Sequence, residues 1–214
     1  MKNEAASVGA AAKKKNILIL AAIALIVIAV LAVAVQMMGG SMEGFAPDEE
    51  LIEQYYEQNK DRFKAPDFTL SAEDDAAYMR DYDRRIYYVD GPIRTELSAD
   101  GELPLPQLAP VVDMIAIITA GDTVAYNRLF TSSYLAQKGE QAPFTAQKPY
   151  NIEITYIGLS ESGTLFKLNY CLKDNDGTLR RDMVSDMSRT MNLTVTELDG
   201  AYYIASIGYH FAFR

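Results

Sequence analysis

Residues 193–210 read LTVTELDGAYYIASIGYH, two runs of alternating apolar and polar residues on either side of Asp199-Gly200. Alternation over this length argues for strand, and Asp-Gly between two such runs is a strong short-range hairpin signal, because both turn positions tolerate positive φ. Met191, Leu193 and Val195 share a face before the turn, and Tyr203, Ala205, Ile207, Tyr209, Phe211 and Phe213 share one after it. A lone hairpin is marginal in water, so this one requires further strands.

Those strands precede it. Residues 150–159 alternate with Ile152, Ile154 and Tyr156 on one face, and residues 164–172 with Phe166, Leu168, Tyr170 and Leu172. The tetrad Asp174-Asn175-Asp176-Gly177 is a turn, and residues 178–187 read as a weaker, more exposed strand. Further back the period lengthens. In residues 110–136, Val111, Met114, Ile115 and Ile118, then Val124, Leu129 and Phe130, recur at helical spacing. Gly121 ends the first helix of this pair, Asp122 or Thr123 caps the second, and Gly139 and Pro143 close the helical part. A helix pair followed by a meander predicts an α+β domain over residues 108–214, with a curved antiparallel sheet packed on the helices.

This element order, with the gap at Gly121-Asp122 and the aromatic closing strand after Asp199-Gly200, resembles the nuclear transport factor 2-like superfamily of cone-shaped α+β domains. The resemblance implies a cone pocket, which in that family serves isomerases, dehydratases and domains that only bind or scaffold, so it carries fold and not function. Enzymes of that fold use a histidine or aspartate near a tyrosine, which makes Asp113, Tyr126 and His210 the ligand-pocket candidates. The residues themselves favour plainer roles. His210 is the single histidine, on the strand side opposite Tyr209 and Phe211 and without a carboxylate partner in sequence, and a helix-face carboxylate accounts for Asp113. No catalytic residue is assigned, and an enzyme is the less favoured class.

Upstream of the domain, three prolines in ELPLPQLAP mark a boundary at residues 98–108. Residues 84–89 (RRIYYV) and 93–97 (IRTEL) form an extended pair around Asp90-Gly91-Pro92. Before them stand two acidic, tyrosine-rich helices. One opens at Pro47 and carries Leu51, Ile52, Tyr55 and Tyr56; the other is capped by Ser71 with Asp74 three residues on and carries Tyr78, Met79, Tyr82 and Ile86. They are read as a membrane-proximal stalk laid on the domain, with Tyr55, Tyr56, Tyr78 and Tyr82 as candidates for a partner-binding face.

Residues 17–35, ILILAAIALIVIAVLAVAV, hold nineteen residues without a charge, an amide, a glycine or a proline. At about 1.5 Å rise per residue such a helix crosses the hydrocarbon of a bilayer, and residues 17–38 are assigned as a transmembrane helix. Lys2, Lys13, Lys14 and Lys15 precede it and Glu43, Asp48, Glu49 and Glu50 follow it, which places the tail of residues 1–16 in the cytoplasm and the rest outside. Ala32-Val33-Ala34 offers a cleavable-signal alternative, giving a secreted protein of the same fold. Residues 39–107 are then linker and membrane-proximal region.

All but one of the 29 acidic side chains and all but four of the 20 basic ones lie beyond residue 40, and that acidic field disfavours nucleic acid. The lone Cys171 permits no internal disulfide and reads as a buried small hydrophobe. Asp174, Asp176 and Gly177 imitate part of a calcium loop, but its first ligand would be Leu172 and its closing glutamate is missing, so the turn explains them. No zinc cluster, phosphate loop or nucleophile elbow is present in the sequence, and neither metal nor cofactor is expected. The expectation is a single-pass, extracytoplasmic domain at a bacterial cell membrane. It binds or scaffolds other proteins, or copies of itself as a homo-oligomer, in a secretion, conjugation or sporulation assembly; a small-ligand-binding or enzymatic cone pocket is the alternative.

Overall fold

Ile86–Asp90 (β1) and Ile93–Leu97 (β2) pair antiparallel around Gly91-Pro92, as the sequence predicts, but β1 also lies parallel to Pro149–Ser160 (β3). In this computed structural model, which describes residues 49–98 and 101–209, the six strands run in the order β2-β1-β3-β4-β5-β6. Gly163–Leu172 (β4), Met191–Leu198 (β5) and Ala201–Tyr209 (β6) complete the sheet through antiparallel pairs. The fold class is α+β as expected, with a mixed rather than antiparallel sheet. The tail, the transmembrane assignment and the start of the linker lie outside the described residues, among which no helix is long and apolar enough to cross a membrane.

The helices between β2 and β3 are Ala109–Ala120 (α3), Thr123–Arg128 (α4) and Ser132–Lys138 (α5). Val111, Met114, Ile115 and Ile118 of α3 are all buried against the sheet. Gly121 ends α3 at φ 71, and a Cβ there would stand 2.8 Å from the backbone nitrogen of Ala146, so the cap and the close approach both require glycine. Asp122 then caps α4 by accepting from the Ala125 N–H. The restart shifts the helical phase: Val124 is exposed, and Tyr126 and Phe130 take the inward positions.

On the sheet, Ile152 and Ile154, then Phe166, Leu168, Tyr170 and Leu172, then Met191, Leu193 and Val195, are buried in the expected rows. Strand β6 departs from simple alternation. Thr194 pairs with Ser206 but Val195 with Ile204, so Ala205 is an extra residue, and the buried pair becomes Ile204 and Ile207. The strand expected over residues 178–187 is absent; after β4 the chain runs as turns until β5, touching the sheet at the isolated bridge between Cys171 and Ser188. Its backbone groups are met locally. The Asn175 amide donates to the carbonyls of Arg180 (2.9 Å) and Met183 (2.6 Å), and its oxygen accepts from the Gly177 N–H.

The segment of residues 60–97 packs on the domain: β1 and β2 join the sheet, and the residues before them are tied to the start of β3 and the loop after β4. The first helix is Glu49–Gln58 (α1). The capping box of Ser71 and Asp74 is present, yet it opens only a short turn, and Asp75 caps a new helix, Ala76–Asp81 (α2), by accepting from the Tyr78 N–H. The Tyr78 hydroxyl, pushed up to about 12 by burial, donates to the Pro149 carbonyl at 2.8 Å. The Asn151 N–H donates to the Asp83 carbonyl, also at 2.8 Å. With β1 in the sheet, the domain boundary expected at residues 98–108 falls between two strands of one sheet.

The fastening of this segment centres on Asp75, which accepts from Lys148 at 2.7 Å and from Lys173, both of which also face Asp174. The hydrogen bonds from Lys148, then Lys173, hold the Asp75 carboxyl well below the usual carboxylate range. Its contribution to stability is therefore complete above about pH 4, the unfolded value, and is lost as pH falls toward the folded one. Asp75→Asn is expected to cost about 1–3 kcal/mol at neutral pH. In urea titrations its deficit against the parent protein should shrink steadily below about pH 4; a deficit independent of pH would show that the charge contacts with Lys148 and Lys173 do not hold the segment, since asparagine retains the helix cap.

Candidate functional site

Helix α1 has no fully buried residue and lies over a cavity of about 190 Å³ between α4, α5 and the end of β6. Ile52 and Glu49 line it from above, Tyr126, Phe130 and Tyr134 from the helices, and Ile207 and Tyr209 from the strand. Phe130 stacks on Tyr134 at 5.0 Å between ring centres, and Tyr126 meets Phe130 at 5.2 Å and Phe144 at 5.4 Å. The polar lining includes Asn127, whose side chain exchanges two hydrogen bonds with the Gln141 backbone, and Lys138, 3.8 Å from Glu49.

Beside Tyr209 is an ionic core. Arg180 and Asp182 are each 2% exposed, and the guanidinium donates in parallel to both carboxylate oxygens at 2.6 and 2.7 Å. It also donates to the Tyr170 hydroxyl at 2.9 Å and lies 4.6 Å from the centre of the Tyr209 ring. Burial opposes its charge, but Asp182 more than offsets this and keeps Arg180 protonated. The phenols of Tyr126 and Tyr209 are raised by burial, so at neutral pH they are hydrogen-bond donors and not bases. The cavity therefore offers aromatic walls and neutral donors, with carboxylate and amine only at its rim.

The sequence candidates distribute unevenly over this geometry. Tyr126 lines the cavity, Asp113 is exposed on α3 and is not among its lining residues, and His210 lies outside the described residues. All four tyrosines proposed for a partner face turn toward the domain. Tyr55 meets Met187 and the Arg189 guanidinium, Tyr56 packs on Phe63 and under Arg181, Tyr78 is 2% exposed, and Tyr82 packs edge-on to Tyr150 at 4.7 Å. Asp176 is buried, accepting from Thr145 at 2.5 Å and from Thr178, while Asp174 faces the lysines; among the described residues no three potential metal ligands converge. Cys171 is buried, and burial raises its thiol. Sequence reasoning missed Arg180 and Asp182, whose only signal is an i,i+2 charge pair that resembles any exposed strand.

The opposite end of the sheet is different. Because β1, β3 and β5 point the same way, the turns at residues 91–92, 161–162 and 199–200 gather at one end. Ile93, Ile157, Leu159 and Leu198 are exposed there, beside the exposed acids Asp90, Glu161, Glu197 and Asp199.

The buried ion pair yields a prediction. Arg180→Met strands Asp182 and is expected to cost about 3–5 kcal/mol, whereas Arg180→Met with Asp182→Leu recovers most of that loss in denaturant unfolding. A double variant no more stable than the single one would mean that loop geometry, and not the stranded charge, dominates. Comparison of the chain with models of protein families, with curated proteins and with solved structures finds no match.

Proposed function

We propose that this chain is a single-pass membrane protein whose extracytoplasmic α+β domain, similar in element order to the nuclear transport factor 2-like superfamily, binds or scaffolds other proteins of a bacterial envelope assembly. The anchor rests on the apolar run of residues 17–35 and its lysine-before, acid-after flanks. The observation that carries the binding role is the exposure of Ile93, Ile157, Leu159 and Leu198 at one end of the sheet. Of these, Ile93 and Leu159 share one face of the sheet by register, and large aliphatic side chains left in the open on one face favour an interaction surface. Glu49, by contrast, lines the cavity beside Tyr209, at the far end of β6 from these residues.

The test is chemical crosslinking of the full chain in native membranes, with a form lacking residues 1–40 as the control. The expected result is a full-length protein that resists alkaline extraction and yields defined crosslinked partners that Leu159→Lys removes. Alkaline release of the full chain would overturn the anchor, and a protein that crosslinks to nothing would overturn the binding role.

The cavity favours a second reading, a small-ligand site, because Tyr126 and Tyr209 line a concavity walled by aromatic rings. Under it, Tyr126→Phe keeps the packing and removes one donor, so it weakens ligand retention with unchanged stability.

A further inference from the structure

Building on the protein-binding reading, we infer that the turn end of the sheet receives a basic, aliphatic segment of a partner protein, seated on the helix-bearing face around Ile93, Tyr156 and Leu159. Strand register defines the seat. Ile93 pairs with Asp90, and since Val89 pairs with Thr155, Asp90 stands beside Tyr156. Tyr156 pairs with the buried Phe166, Leu159 with the buried Thr164, and Thr164 with the buried Val195. Directly paired residues share a face, so one face runs across the sheet from Val195 toward Ile93, apolar except for Thr164 and for the exposed Asp90 that stands between Tyr156 and Ile93.

Only part of that surface is covered. Over β5 it lies under the turn Pro106–Leu108, with Leu103 and Leu105 packed against the core. Toward the β1–β2 edge the cover stops: Tyr156 is half-buried, Leu159 is 76% exposed and Ile93 is 60% exposed. Among the described residues, no next layer covers this bare portion.

Charge selects the occupant. Residues 90–93, 160–163 and 196–201 contain Asp90, Glu161, Glu197 and Asp199 and not one lysine or arginine. An apolar centre rimmed by like acids favours a partner with aliphatic side chains and flanking bases. A second copy would bring the same acids against these, and an anionic lipid surface would be repelled.

The probe is a short fluorescent peptide alternating lysine and valine, titrated against the full chain in detergent micelles and followed by anisotropy. An otherwise identical glutamate-valine peptide is the charge control. Leu159→Lys tests the seat, and Val124→Lys, at an exposed position on α4, tests surface charge elsewhere. The expected result is saturable binding of the lysine peptide only, weakened about tenfold by Leu159→Lys and unchanged by Val124→Lys. Equal binding of the glutamate peptide, equal effects of the two substitutions, or no saturable binding would each overturn the inference. Sedimentation showing self-association that Leu159→Lys abolishes would overturn it too, by making a second copy the occupant. Crosslinked partners that survive Leu159→Lys would overturn this seat while leaving protein binding standing; the absence of any crosslinked partner would remove the protein-binding reading itself.

Discussion

The parallel pairing of β1 with β3 is the constraint on which the rest of the domain depends. It brings residues 86–89 beside residues 152–155 with three helices strung between, and a parallel neighbour is reachable only through such a crossover. Once β1 is fixed there, the chain before it must run along the start of β3 and the end of β4. That path explains why the Asp83 carbonyl meets Asn151, why Tyr78 reaches Pro149, and why Asp75 sits between Lys148 and Lys173. Three unlike contacts, a backbone bond, a phenol and an ion cluster, all follow from one strand's position.

What was legible in the sequence is what local pattern controls. The rows of β4 and β5, the stripe of α3, the Gly121-Asp122 break and the Ser71 capping box are dictated within a few residues by period and cap chemistry. What was not legible depends on distant partners. The register of residues 86–89 against residues 152–155 leaves no local trace, so the extended pair was legible as strand but its place beside β3 was not. In β6, whether Ala205 or Ile204 faces inward is decided by the slip opposite Thr194, which only the neighbouring strand records. Residues 178–187 mix apolar and charged residues without a clean period, and Asn175 ties the loop to itself through the carbonyls of Arg180 and Met183. The candidate site was less legible still. Tyr126 was named, but the cavity around it is assembled from α1, the α4–α5 pair and β6, three stretches far apart in sequence.

The buried pair of Arg180 and Asp182 shows what that loop requires in place of a ladder. A segment without strand pairing has few ways to fix its position, and an ion pair at 2% exposure has essentially one geometry that avoids a stranded charge. Its contribution is therefore to select one loop conformation more than to add stability. The same reasoning explains why it is not a catalytic group: three of the guanidinium's donors are engaged by Asp182 and Tyr170.

The sheet's polarity separates the two regions that remain open. Strand β6 leaves the turn end at Ala201 and reaches the cavity at Tyr209, eight residues later, which at about 3.3 Å per residue is about 26 Å. Charged groups that far apart across solvent are screened from one another at physiological salt, where the screening length is about 8 Å. Coupling between the cavity and the turn end would have to pass through packing, and the packed path is the central sheet itself, whose rows from Val195 to Ile152 are fully buried. A stiff sheet transmits rigid-body motion and resists local rearrangement. An occupant at the turn end would thus leave the cavity's shape unchanged, and the protein-binding and ligand-binding readings can be tested independently on one molecule.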